Sequence, residues 1–168
     1  MRRATNFANA KGFTLIETVC TLVIVAVLAS YALPRFIDLS DQAYDALVAS
    51  TAGAFSSSVF LANVACTVRG WANRDNLPGY AGNGVDFNAG CHPTDTANAN
   101  LIGGNAGRCA RLWTALLSPA PSIQTGAAGS ADYRALASGE TCRFRFLQDA
   151  KPRREITYNA LTGAVIGP

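Results

Sequence analysis

The sequence predicts an α+β fold in which one long N-terminal helix packs on a small antiparallel β-sheet. Three patterns point there. An apolar run from Phe13 to Leu33 carries a single charge, Glu17. Beyond Pro34, apolar residues recur at mostly three- and four-residue spacing as far as about Cys66, the mark of an amphipathic helix. The last third of the chain alternates apolar and polar residues between turn signals. A small sheet with one apolar face needs a cover, and the amphipathic half of the helix can supply it. The 168 residues suffice for one such domain.

The first element is a short basic leader, residues 1–12, with Arg2, Arg3 and Lys11 before Gly12. The formal charge is +3, but without those three cations eleven basic residues face eleven acidic ones. That balance excludes a chain-wide basic surface for nucleic acid and favours self-association. Hydrophobic residues make up 49% of the chain and charged ones 15%, with much of the apolar excess near the N-terminus.

Residues 13–33 form the second element. As a helix these 21 residues span about 31 Å, the thickness of a bilayer core. Cations precede the run, and the positive-inside tendency keeps the leader in the cytoplasm and exports the bulk. A secretory signal peptide needs small residues after its apolar core, and Ala26 to Ala32 offers them. That reading leaves Glu17 inside the core and the Gly12-Phe13 junction unexplained. A plain signal anchor explains the length but not Glu17. A charge in a membrane-length segment is costly and needs a reason.

Lys11-Gly12-Phe13-Thr14-Leu15-Ile16-Glu17, followed by the apolar run, resembles the type IV prepilin signal. The short leader and the Phe start resemble the type IVa pattern. Pro34-Arg35-Phe36-Ile37-Asp38-Leu39 with Asp41-Gln42-Ala43 is similar to MSHA-type pilins. The resemblance implies a pilin fold and a structural subunit of a type IV pilus from a Gram-negative bacterium, used for attachment or related surface functions. It implies that a prepilin peptidase cuts after Gly12, that Phe13 becomes the N-methylated first residue, and that Glu17 is the fifth. It also implies a single-pass inner-membrane form with a periplasmic head. Self-association into an extracellular filament would follow, driven by an assembly platform with its ATPase. A type II secretion pseudopilin and a minor pilin share these features and stay open.

Glu17 has a physical task under this reading. A lone carboxylate among apolar helices is destabilising unless paired or neutralised. Cleavage frees the amine of Phe13, and the amine of one subunit can meet Glu17 of another, fixing register as a buried polar group does in a coiled coil. The plainer alternative is that Glu17 reaches the cytoplasmic interface.

Residues 34–66 are the amphipathic continuation of the helix. Pro34 removes one helix hydrogen bond and crowds the preceding turn, so the backbone there is expected to kink or partly melt. Phe36, Leu39, Ala43, Leu47, Ala54, Phe55 and Val59 are the expected apolar face. Asp38, Asp41 and Asp45 form an acidic stripe, read as a solvated face, with a bound cation or the basic groups of a neighbour as alternatives. The small residues 49–54 keep the helix thin.

Residues 67–168 form the exported head. Thr67 to Gly107 reads as a long glycine- and asparagine-rich loop with short turns or a strand, and it corresponds to the αβ-loop of pilins. Trp71 and Trp113 flank it and are read as core anchors. Arg108 to Leu117 reads as a short helix ended by Pro119. In residues 142–146, Cys142, Phe144 and Phe146 share one strand face and Arg143 and Arg145 the other. Ile156 and Tyr158 pair likewise, a turn follows at 159–163, and 164–166 is a last strand. Arg143, Arg145, Lys151, Arg153 and Arg154 make this region locally basic; a solvated face is the plain reading, with DNA, an acidic glycan or the acidic stripe of a neighbouring subunit as alternative partners.

Five cysteines remain to be placed. Cys20, inside the apolar run, is expected to be a packed free thiol. Cys66, Cys91, Cys109 and Cys142 in an exported, loop-rich region suggest two disulfides. Three connectivities are possible and the sequence does not choose. Cys66 with Cys91 and Cys109 with Cys142 is the pairing that ties a loop to a regular element each time, and unpaired thiols are the alternative.

The sequence carries no catalytic constellation, metal site or cofactor motif. The single histidine, His92, adjoins Cys91 without further ligands at metal spacing. Ser56, Ser57 and Ser58 lie mid-helix without a base.

Overall fold

Thr14 starts the long helix α1 (Leu15–Arg69). Its hydroxyl accepts the Glu17 N–H at 3.3 Å and its carbonyl accepts the Thr18 N–H at 3.2 Å. The Thr14-x-x-Glu17 spacing is that of a capping box, and a carboxylate in the first turn suits the positive end of the helix dipole. The structure is a computed structural model that describes residues 12–81, 84–149 and 154–168, with the backbone alone at 33, 34 and 36–38. The leader cations Arg2, Arg3 and Lys11, Gly82 of the expected long loop, Lys151 and Arg153 of the expected basic region, and the side chains of Pro34, Phe36 and Asp38 lie outside the described residues.

The chain divides into two units, residues 1–42 and 43–168. In the first, the stretch Leu15–Ala32 has a mean hydropathy of 2.1 and none of it is buried. Its hydroxyls are satisfied within the helix: Thr18 donates to Thr14 O, Thr21 to Thr18 O and Ser30 to Val27 O. Such internal bonds let polar side chains sit on an otherwise apolar surface. Of the kink or partial melting expected at Pro34, melting is not found. The backbone is helical without interruption through that position, because the loss of one donor is local and the flanking turns keep their bonds.

In the second unit, α1 turns Val48, Ala52, Phe55, Val59, Ala62 and Cys66 into the core. The expected face is only partly correct. Phe55 and Val59 are buried, but Ala43, Leu47 and Ala54 are exposed, and so, in the first unit, is Leu39. Leu47 and Val48 lie about 100° apart on a helix, and apolar residues occupy both faces, so spacing alone mixes them. Gly70, at φ +62°, ends the helix, and the Trp71 N–H closes back onto the Cys66 carbonyl at 2.9 Å.

The loop after α1 contains a small hairpin, β1 (Asp86–Phe87) and β2 (Pro93–Asp95), followed by helix α2 (Ala106–Leu116). Five further strands form one sheet in chain order: β3 (Ile123–Gln124), β4 (Tyr133–Ser138), β5 (Thr141–Phe146), β6 (Glu155–Asn159) and β7 (Val165–Ile166). All neighbours are antiparallel except β3 and β4, which run parallel. The core is aromatic and centred on Phe55, whose ring lies 5.5 Å from Trp113, 5.3 Å from Phe144 and 5.7 Å from Tyr158. The expected alternation in β5 and β6 is present, with Cys142, Phe144, Phe146, Ile156 and Tyr158 buried. Trp113 is fully buried, whereas Trp71 is half-buried and donates to Asp75 O at 3.0 Å.

Long-range polar contacts pin the loop. Buried Asp86 accepts the Asn76 N–H at 2.8 Å and the Ala99 N–H at 2.9 Å. Asp95, also buried, receives Arg111 in a two-point fork at 2.8 and 2.7 Å. Glu140 accepts from the backbone of Ile102 and Gly103. Burial without such partners would cost each carboxylate several kcal/mol.

Two charged residues depart from the expected solvated faces. Arg154 is 3% exposed. It donates to Asp45 at 2.6 Å, pairs with Asp149 and lies 5.5 Å over the Tyr44 ring. The Asp45–Arg154 pair therefore ties α1 to the strand end within one chain.

Candidate functional site

The expected processing junction, Gly12-Phe13, sits just outside helix α1. Gly12 and Phe13 have non-helical backbone and both are exposed, Phe13 to 83%. A Cβ added at Gly12 would meet nothing within 4 Å, so no crowding within the chain calls for glycine here. Glu17 stands one turn into the helix, exposed, and among the described residues no cation pairs with it. Around it Leu15, Ile16, Leu22 and Val23 are 57–83% exposed. The arrangement is a carboxylate without a partner in a ring of apolar side chains without a cover.

Thr14 joins the functional residues read from the sequence. Its signal is the threonine three residues before Glu17. By fixing the start of α1, it sets where the Glu17 side chain leaves the helix. Pro34 lies further along in unbroken helix. Cys20, expected to be packed, is free and exposed, because among the described residues nothing covers that part of α1.

In the head, Cys66 is bonded to Cys91 and Cys109 to Cys142. The first bond joins the last turns of α1 to the loop beside β2, and the second joins α2 to β5. All four of these cysteines are buried.

His92 lies half-buried near Asn63, whose Nδ2 is 3.5 Å from its Nδ1, and burial lowers its pKa below the ordinary value. Ser57 donates to Gly53 O within α1. Among the described residues, no group of three or more His, Cys, Asp or Glu side chains is placed to hold a metal ion.

An apolar helix carrying one acidic group, continued into a disulfide-stapled helix-on-sheet head, is a pilin-like α+β architecture. Residues 7–33 match the family model described as the prokaryotic N-terminal methylation motif, a span that includes Gly12, Phe13 and Glu17. The chain is also 51% identical over 56 residues to the "Type IV narrow pilus major component PilA5" of Thermus thermophilus, an alignment covering 33% of this chain and 48% of that relative. The chain thus spans about half the length of the curated relative it matches. No solved structure matches it. Over its N-terminal residues the chain is thus similar to type IV pilins.

Proposed function

We propose that this chain is the precursor of a structural type IV pilus subunit, trimmed after Gly12, N-methylated at Phe13 and polymerised into a filament. The observation that carries the reading is the state of α1 before residue 33: apolar, nowhere buried, and holding one carboxylate with no ionic partner among the described residues. Such a surface is stable only against lipid or against other copies of itself. The freed amine of Phe13 is a cation that can pair with Glu17 of another subunit. In this reading Pro34 marks the end of the filament-core segment, residues 13–33, and residues 34–66 lead into the head. The relative's printed description as a major pilus component, the long loop pinned by one disulfide and the second disulfide within the head favour a pilus subunit over a secretion pseudopilin.

The remaining steps follow from the chemistry. Glycine at an uncrowded, exposed junction suits recognition by a second protein, a prepilin peptidase at the inner membrane. Apolar burial is worth roughly 25 cal/mol per Å² when measured from water, but a helix already in lipid has gained most of that. Leaving the bilayer therefore requires external work, from an assembly platform with its ATPase, while the head stays on the periplasmic side until export. Intact mass of the subunit in sheared surface filaments tests the reading. The expected species begins at methylated Phe13 and has four oxidised cysteines. Gly12→Ala should accumulate a species that keeps its leader. A filament subunit that retains residues 1–12 contradicts the proposal.

A further inference from the structure

The outer face of the sheet carries charge that the fold leaves uncompensated. Arg134 on β4 stands directly opposite Arg145 on β5, which stands opposite Glu155 on β6. Arg143, two residues along β5, also turns outward. The one carboxylate in this group is shared, 3.6 Å from Arg143 and 3.3 Å from Arg145. Among the described residues Arg134 has no ionic partner, and its Nε is buried without a hydrogen bond. Like charges directly opposed across a strand pair are destabilising. An arriving anion that bridges them removes that cost and gains charge-assisted, fork-like hydrogen bonds.

The neighbouring groups narrow the anion's identity. The next row but one of the same face is Ser138, Thr141 and Asn159, three neutral hydrogen-bonding side chains in register across the same strands. Four residues separate the two rows along each strand, about 13 Å, room for more than one sugar ring. No aromatic side chain lies on this face to stack with unpaired bases. No helix or ribbon projects from it to enter a duplex groove. Anion forks beside hydroxyl-binding groups on a flat surface fit a polymer that has both carboxylates and hydroxyls.

We propose that the outer face of β4, β5 and β6 binds an acidic polysaccharide, with Arg134 and Arg145 clamping a carboxylate and the Ser138–Thr141–Asn159 row holding ring hydroxyls. The inference does not depend on filament assembly, because the surface belongs to one head. The full-length chain in detergent micelles is titrated with polygalacturonate. Saturable binding that weakens with salt is expected, together with its loss for the neutral methyl ester of the same polymer. Arg134→Gln combined with Arg145→Gln should weaken binding by at least about tenfold, while Arg134→Lys should retain part of it. Arg74→Gln, at an exposed position stacked on Trp71 away from the sheet, should leave it unchanged. Arg143→Gln, at a side chain 42% exposed, carries the same test should the double variant fold poorly. Equal binding by the arginine variants, equal binding of the methyl ester, or tighter binding of duplex DNA of matched charge overturns the proposal.

Discussion

One helix serves two regions under opposite conditions. After residue 43, α1 lays Val48, Ala52, Phe55, Val59 and Ala62 against a sheet, and these side chains are 0–7% exposed. Before residue 33, side chains of the same kind, Leu22, Val25, Val27 and Leu28, are 61–64% exposed. Both stretches are helical and apolar, so secondary structure does not separate them. What separates them is whether the chain supplies its own cover. The head covers a large aromatic core internally and gives partners to carboxylates as deep as Asp86 and Asp95, with Arg134 an exception. The N-terminal stretch satisfies only its backbone and hydroxyls, leaving its apolar surface and Glu17 for something outside the chain.

Substitutions in the two stretches should therefore behave differently. Phe55→Ala removes the ring at the centre of the aromatic core and should destabilise the head by about 3–5 kcal/mol. Leu28→Ala should leave head stability within about 0.5 kcal/mol of the parent. Denaturant unfolding of the full chain in detergent, followed by the near-ultraviolet signal of buried Trp113, compares them. A large effect of Leu28→Ala on that signal would erase the distinction between the two regions.

A smaller effect is expected at the ion pair that ties α1 to the sheet. Arg154→Gln leaves Asp149, only 14% exposed, without its cation, while Asp45, 63% exposed, returns to solvent. The same unfolding experiment should show a loss of roughly 2 kcal/mol, less than for breaking a fully buried pair.

The smallest effect is a pH dependence at His92. Burial lowers its pKa from the ordinary 6.5. As pH falls through that value the unfolded chain takes up a proton before the folded head does, so the head loses stability there on acidification. His92→Gln should flatten this part of the stability–pH curve, measured by the same unfolding signal. An unchanged slope in the variant would assign the dependence to another group.

The sequence made β5, β6 and β7 legible because large apolar residues alternate there with arginine, threonine and glutamate. It hid β4, whose inward positions Ala135 and Ala137 are small and whose Leu136 faces outward. That strand is specified by its partner: Ala135 lies opposite Phe144, where only a small residue leaves room for the large ring. The parallel β3 is two residues long and has no local signature. The pins of the long loop were not legible either, since Glu140 reaches residues 37 and 38 positions away. At the N-terminus the candidate site residues rest on a local signal: a glycine, an aromatic residue and a carboxylate at fixed spacing. Thr14 belonged to that same local pattern and was equally readable.

The central claim is that the N-terminal helix exchanges lipid for copies of itself, with Glu17 pairing between subunits. Glu17→Ala in cells lacking the parent chain tests it most directly, by electron microscopy and immunoblotting of sheared surface material. The expected result is a trimmed subunit that stays in the membrane fraction, with filaments lost or sharply reduced. Normal filaments built from the Glu17→Ala chain would contradict the account.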